Sequence, residues 1–205
     1  MTTLTRNDTT RRAFVASGMA ALALPFLPGS AAALTEDTAT ALIDKVVSDI
    51  NRVIASGRPL GAMIKEFESI FRKYADVPII AQSTLGQDWK RASSGQRKAY
   101  VAAFRGYVAR KYGKRFKEFE GGNVDVRGVR KVRSGYEVKS FVTLRGRRPL
   151  EVAFLVSDRS GRDLFFDMII EGISLRLTER TEIGSMLDRR KGNIDALIGE
   201  LKQAG

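Results

Sequence analysis

The sequence predicts a single α+β domain in which helices gather before and after one antiparallel sheet. Three observations support this class. Apolar residues recur at helical spacing through residues 38–108, and about four runs within 124–170 alternate apolar with polar side chains. Helical spacing returns after residue 178. Because the strands follow one another directly, each is expected to pair with the next.

The N-terminal segment is typical of an export signal rather than of a folded domain. Arg11-Arg12 precedes an apolar, Ala-rich run, which is the twin-arginine pattern. Ala31 and Ala33 have the spacing of a signal-peptidase site, and the run is shorter than the ~20 residues that span a bilayer. We therefore predict a cleaved signal over 1–33 and a single mature domain over 34–205, located in the periplasm.

Helical patterns fill the first half of the mature chain. The first covers 38–56, and a second follows within a few residues. Pro78 suits the first turn of a third helix and Gly86 suits its end. Ser93 and Gln96 have the spacing of a capping box ahead of a longer fourth helix.

Four alternating runs predict a meander with one apolar face. Turn dipeptides at hairpin spacing separate the later runs: Ser134-Gly135, Arg145-Gly146 and Ser160-Gly161. In the last run, strict alternation places Phe166, Met168 and Ile170 on the apolar face. Asp167 is then expected on the opposite face.

Two helices close the chain. Thr178 is predicted to cap the first of them, with Glu179 and Glu182 in its opening turn. Gly192 breaks this helix, and an apolar stripe marks a final helix after it.

Charge is concentrated in one part of the sequence. Residues 90–148 hold 18 basic and 4 acidic side chains, whereas the mature segments on either side are slightly acidic. Such asymmetry favours an anionic partner, for example an anionic phospholipid surface, although a basic surface can also serve solubility alone. Nucleic acid is largely absent from a periplasm, so we do not expect it as a partner.

Catalytic chemistry finds little support. The chain contains no histidine and no cysteine, and it lacks the common hydrolase and nucleotide-binding motifs. Asp167 is the best catalytic candidate because it interrupts an apolar strand, but an acid paired with a nearby Arg or Lys explains it better. We therefore predict no catalytic residue, no metal site and no cofactor.

Several stretches resemble one known family. They are the helix containing Phe71 with the following residues 74–81, the pattern Leu85-Gly86-x-x-Trp89, residues 96–104, and "DMIIEGISL" running on to Arg180. Together with the final "LIGELK", they span nearly all of the mature chain in the order found in MlaC, the toluene-tolerance family. Its members are periplasmic phospholipid-binding auxiliary components of ABC transporters.

The resemblance implies a cone-shaped fold like that of nuclear transport factors, enclosing a deep apolar pocket for acyl chains. It implies a carrier without enzymatic activity, which maintains outer-membrane lipid asymmetry. Its partners would be phospholipid, an inner-membrane ABC transporter complex and an outer-membrane lipoprotein–porin complex, and we expect a monomer. From the facing apolar surfaces we predict lipid-binding residues: Phe71, Ile79, Leu85, Phe104, Val108, Val142, Phe154, Val156, Met168 and Ile170.

Two other hypotheses remain open from the residues alone. Related cone-shaped folds include isomerases that use an Asp and a Tyr in an apolar pocket, so a small isomerase-like enzyme is one alternative. A basic periplasmic protein that binds an anionic envelope polymer is the other.

Overall fold

The computed structural model describes residues 33–119, 121–144 and 146–205. The predicted export signal, apart from its last residue, lies outside these ranges. The described chain has the α+β architecture expected from the sequence. Along the chain, one antiparallel sheet follows a first group of helices and precedes a second group. Within these ranges no helix combines the length and the apolar character needed to cross a bilayer.

The helices fall into a group before the sheet and a pair after it. The first group comprises α1 Glu36–Ile54, α2 Leu60–Tyr74, α3 Val77–Leu85, α4 Asp88–Arg91 and α5 Ser94–Gly113. A 3₁₀ segment, Lys114–Phe119, follows α5. The closing pair comprises α6 Leu175–Arg189 and α7 Ile194–Gln203.

Side-chain caps fix where several of these helices begin. The predicted capping box of α5 is confirmed, because Ser93 accepts from the backbone N–H of Gln96 and Gln96 accepts from that of Ser93. Thr35 and Thr38 form the same arrangement at α1. Pro78 lies in the first turn of α3, as its missing N–H allows, and α3 ends at Gly86 with a φ of 62°.

The sheet is a meander whose spatial order equals its order in sequence. Its strands are β1 Asn123–Val132, β2 Gly135–Thr143, β3 Leu150–Ser157, β4 Leu164–Ile170 and β5 Ile173–Ser174. All neighbouring pairs are antiparallel. The four predicted strands are present, and β5, at two residues, is too short to show an alternating pattern.

A bulge in β4 changes which face each side chain occupies. Leu155 pairs with Asp167, but Val156 pairs with Phe165, so Phe166 is an extra residue without a partner on β3. Phe165 therefore also takes an inward position. Its ring lies 5.5 Å from that of Phe154, centroid to centroid. Phe166, Met168 and Ile170 line the space between sheet and helices, as predicted. Phe165 and Asp167 were expected on the opposite face but also border this space, because the bulge interrupts the ladder that strict alternation assumes.

The helices cover one face of the sheet and pack on each other behind it. Helix α1 crosses β1 to β3, while α3 and α6 lie against β4. Helix α5 packs between α2 and α7, and its Tyr100, Phe104 and Tyr107 are almost fully buried there. A space remains between the sheet and the helices, and it contains the site described next.

Candidate functional site

A cavity of about 450 Å³ lies between the apolar face of the sheet and the surrounding helices. Its wall is mostly aliphatic and aromatic. The helices supply Val46, Ile50, Ile54, Phe67, Ile70, Phe71, Ile80, Phe104 and Val108, and the sheet supplies Val124, Val142, Leu150, Val152, Phe154, Phe165, Phe166, Met168 and Ile170. The volume lies within the range of about 300–1,000 Å³ that is typical of ligand pockets.

The structure brings together most of the residues predicted to bind lipid. The predicted residues on the cavity wall are Phe71, Phe104, Val108, Val142, Phe154, Met168 and Ile170. Three others lie away from it. On α3 the neighbouring Ile80 lines the cavity while Ile79 is partly exposed, and Leu85 and Val156 are buried in the core beside it.

Helix α1 contributes wall residues that were not chosen from the sequence. Val46, Ile50 and Ile54 line the cavity opposite β1 to β3. The signal was present, because Val46 and Ile50 belong to the apolar stripe that predicts this helix. Periodicity identifies a buried face but does not separate residues packed against other side chains from residues bordering a cavity.

The polar part of the wall lies where the end of α5 meets the start of α6. It comprises Tyr112, Arg115, Asp167, Glu171, Arg176, Thr178 and Glu179. A hydrogen bond connects these two helices, because the Tyr112 hydroxyl donates to Oε1 of Glu179. The cavity is therefore amphipathic, with an extended apolar part and one polar region.

Asp167 is the centre of a hydrogen-bond network in this region, and it is only 3 % exposed. Its Oδ1 accepts from the backbone N–H of Met168 at 2.8 Å and from that of Arg176 at 3.1 Å. Its Oδ2 accepts from the hydroxyl of Ser174 at 2.7 Å and lies 3.4 Å from Nε of Arg176. Both oxygens are thus occupied by groups of the protein, as the ion-pair interpretation predicted.

Ser174 connects the end of the sheet to the start of α6. Besides donating to Asp167, its hydroxyl oxygen accepts from the backbone N–H of Leu177 at 3.1 Å, so Ser174 is the N-cap. The prediction that Thr178 caps this helix was wrong, because the helix begins at Leu175. Thr178 instead donates to the backbone carbonyl of Ser174 at 3.0 Å.

The placement of Glu179 and Glu182 in an opening turn was wrong for the same reason. Glu179, 2 % exposed, accepts from Lys111 Nζ at 2.8 Å, and Lys111 also contacts Glu182. Burial and the Glu179 carboxylate together raise the pKa of the Tyr112 hydroxyl above its usual value. Burial opposes ionisation of Lys111, but its bonds to the two carboxylates outweigh this and raise its pKa. Lys111 and Tyr112 therefore remain protonated donors at neutral pH.

A tight turn forms one edge of the cavity opening. Glu171 and Gly172 join β4 to β5 with φ angles of 49° and 80°, the left-handed pair that a two-residue hairpin of type I′ requires. The Glu171 carboxylate accepts from the backbone N–H of Glu151 at 2.6 Å. Next along the chain, Ile173 lines the cavity and is 63 % exposed, so it lies at the opening.

The described residues show little sign of a catalytic or metal-binding arrangement. In the part of the chain that the structure describes, no group of three or more acidic side chains is placed to hold a metal ion. Asp167 accepts three hydrogen bonds from the protein and lies 3.4 Å from Nε of Arg176, so it is not arranged as a free base. What the geometry provides is an enclosed apolar volume with a polar rim.

Comparison with known proteins agrees with the fold and the resemblance. The model of the family described as "MlaC protein" matches residues 40–203. Among solved structures, the chain is similar to a phospholipid-binding protein from Ralstonia solanacearum, determined in complex with a phospholipid. The TM-score is 0.69 at 20 % identity, and the match covers 80 % of this chain and 95 % of that one.

Proposed function

The chain belongs to the MlaC protein family, and from this premise we propose that it is a phospholipid carrier without enzymatic activity. Acyl chains would occupy the cavity between sheet and helices, and the polar end of the lipid would lie at the opening. The single observation on which the proposal rests is the cavity of about 450 Å³ with its mostly apolar wall.

The energetics of such a cavity favour an occupant. At ~24 cal/mol per Å³, leaving this volume empty would cost on the order of 10 kcal/mol. That is comparable with the whole stability of a domain, about 5–15 kcal/mol. The cavity is therefore expected to contain an apolar guest or to contract when the guest leaves.

The same arithmetic explains why a carrier needs an apolar acceptor. Each buried methylene contributes about 0.8 kcal/mol, so a 16-carbon chain contributes roughly 12 kcal/mol before costs. A tail held this strongly leaves for water very slowly. It leaves readily only when a second apolar environment is presented at the opening.

Family membership and the sequence together suggest where the transfer occurs. We place the mature protein in the periplasm, exported by the twin-arginine signal predicted over 1–33. There it would move phospholipid between an outer-membrane lipoprotein–porin complex and an inner-membrane ABC transporter complex, and so maintain outer-membrane lipid asymmetry.

Lipid extraction tests the proposal directly. Mature protein purified without detergent should release phospholipid into organic solvent in a stoichiometric amount, as measured by mass spectrometry. Protein denatured before purification and refolded without lipid provides the control. The absence of stoichiometric lipid from the natively purified protein would contradict the carrier function.

A further inference from the structure

One cation on the cavity wall has donors that the protein does not use. Arg176 is the second residue of α6, and its side chain is 27 % exposed. Its Nε lies 3.4 Å from Asp167 Oδ2, yet this contact does not meet hydrogen-bond geometry. A guanidinium has five N–H donors. Among the described residues, the Arg176 side chain donates none of them in a hydrogen bond.

The orientation of Arg176 is nevertheless fixed. Its backbone N–H donates to Oδ1 of Asp167 at 3.1 Å, while Oδ2 attracts its Nε. Asp167 is itself held by Ser174 and by the backbone of Met168. Asp167 therefore faces the Nε edge of the guanidinium and leaves the terminal nitrogens free to contact a ligand.

Among the described residues, no carboxylate other than Asp167 forms an ion pair with Arg176. Glu179 accepts from Lys111 and Tyr112, and Glu171 accepts from the backbone N–H of Glu151. Arg115, whose side chain is 61 % exposed and lies 3.5 Å from the Glu118 carboxylate, adds a second guanidinium to the same wall. The start of α6 also contributes the positive end of a helix dipole. Through these guanidiniums the rim offers N–H donors to an anion, beside the carboxylates of Asp167, Glu171 and Glu179.

The position of Arg176 relates it to the opening. It follows Leu175, a wall residue, and Ile173, which is both on the wall and strongly exposed. A lipid whose tails fill the apolar part would have its polar end within this rim. We propose that the terminal guanidinium nitrogens of Arg176, oriented by Asp167, bind the phosphate of the phospholipid. This inference rests on the proposed carrier function and assigns a specificity-determining residue to it.

The test is a competition between two lipids with the same tails. Mature protein stripped of lipid is incubated with vesicles containing equal amounts of dioleoylphosphatidylglycerol and dioleoylglycerol, and bound lipids are quantified by mass spectrometry. The wild-type protein should prefer the phosphate-bearing lipid. Arg176→Gln should reduce that preference about tenfold, as expected for loss of a charge-assisted hydrogen bond.

Further variants separate the role of Asp167 from a general structural role. Asp167→Asn should also reduce the preference, and the double variant Asp167→Asn/Arg176→Gln should lose no more than Arg176→Gln alone. Arg189→Gln removes the same charge from the far end of α6, outside the cavity wall, and should leave the preference intact.

The outcomes distinguish this inference from the proposed function. Full lipid loading with unchanged preference in Arg176→Gln would overturn the role of Arg176 and leave the carrier function standing. If the wild-type protein took up neither lipid, both would be overturned. Inorganic phosphate that binds at Arg176 without altering the lipid preference would indicate a site for free phosphate and overturn the assignment to lipid.

Discussion

Nζ of Lys111 lies 2.8 Å from Oε1 of Glu179, and this ion pair joins the end of α5 to the first half of α6. The Glu179 side chain is 3 % exposed and that of Lys111 is 27 % exposed. An isolated charge buried to this degree is strongly unfavourable, so each partner depends on the other. The pair fastens α6 beside the polar rim of the cavity.

Replacing the cation should therefore destabilise the fold. We expect Lys111→Met to lower the free energy of unfolding by about 3 kcal/mol, because Glu179 would stay buried without its cation. Urea denaturation followed by circular dichroism measures this change. Lys139→Met is the matched control, since Lys139 and Glu151 form a pair in which both side chains are over 40 % exposed. That variant should lose less than about 1 kcal/mol, and equal losses would contradict the importance of the buried pair.

Filling the cavity should displace lipid without unfolding the protein. Ile170 is a partly buried wall residue, so Ile170→Trp can extend its ring into the cavity. We expect at least a severalfold fall in co-purified phospholipid at nearly unchanged thermal stability. Ile79→Trp is the control, because Ile79 is also partly buried but lies away from the wall. Equal lipid content in both variants would remove Ile170 from the binding surface.

A charge on the apolar wall gives a complementary measurement. Val142 is 8 % exposed and lines the cavity, so Val142→Asp places a carboxylate against the tails. Lipid retention should fall, while stability decreases by several kcal/mol because the charge is poorly solvated. Circular dichroism establishes that the variant is folded before its lipid is measured. A folded variant with wild-type lipid content would show that Val142 does not contact the ligand.

The basic surface should make transfer sensitive to salt. Lys131 and Arg133 are exposed at the end of β1, within the basic part of the sequence. Each cation near an anionic membrane contributes about 1 kcal/mol, so removing two in Lys131→Gln/Arg133→Gln should weaken association with anionic vesicles roughly thirtyfold. Raising the salt concentration should have a similar effect on the wild-type protein. Rates of lipid transfer to anionic vesicles that do not change with salt would indicate that these charges serve only solubility.

Stability at acidic pH should depend on the contact between Asp49 and Tyr74. The Tyr74 hydroxyl donates to Asp49 at 2.7 Å and, with Arg52 and Lys73, lowers the pKa of this carboxyl below 3.8. A lowered folded-state pKa gives stability that is present above pH 3.8 and is lost as pH falls through the lower value. Tyr74→Phe should therefore cost about 1 kcal/mol at pH 7 and less at pH 3.

The control for that measurement is Tyr136→Phe. Tyr136 is partly buried, and in the described part of the chain its hydroxyl makes no hydrogen bond. Its effect on unfolding should therefore be the same at both pH values. A difference between wild type and Tyr74→Phe that does not change with pH would show that Asp49 does not mediate the effect.

Periodicity and turn chemistry were sufficient for the class, the order of the longer elements and most strand boundaries, whereas the four-residue α4 was not predicted. Ser93 with Gln96 and Pro78 with Gly86 mark helix ends by local hydrogen bonding and backbone geometry, so their signals lie within a few residues. The inward position of Phe165 on β4 could not be predicted in this way. The bulge at Phe166 depends on pairing with β3, which is a tertiary property.

At the candidate site, too, local patterns were predictable and tertiary contacts were not. Apolar stripes identified facing surfaces that include Phe104, Phe154 and Met168, all of which line the cavity. They could not separate Ile79 from Ile80, because one residue of helix rotation decides which side chain meets the cavity. The contact of Lys111 with Glu179 joins residues 68 positions apart and leaves no local signal.

The order β1 to β5 in the sheet has a consequence for folding. Every strand pairs with its neighbours in sequence, so the sheet can assemble one hairpin after another with short loop closures. Helix α5 must instead meet α7 across the whole sheet segment, with Arg110 donating to the carbonyl of Ala204 at 2.8 Å. We expect this long-range docking to come last, so that a nascent chain exposes the side of α5 that packs on α7 until the C-terminus is synthesised.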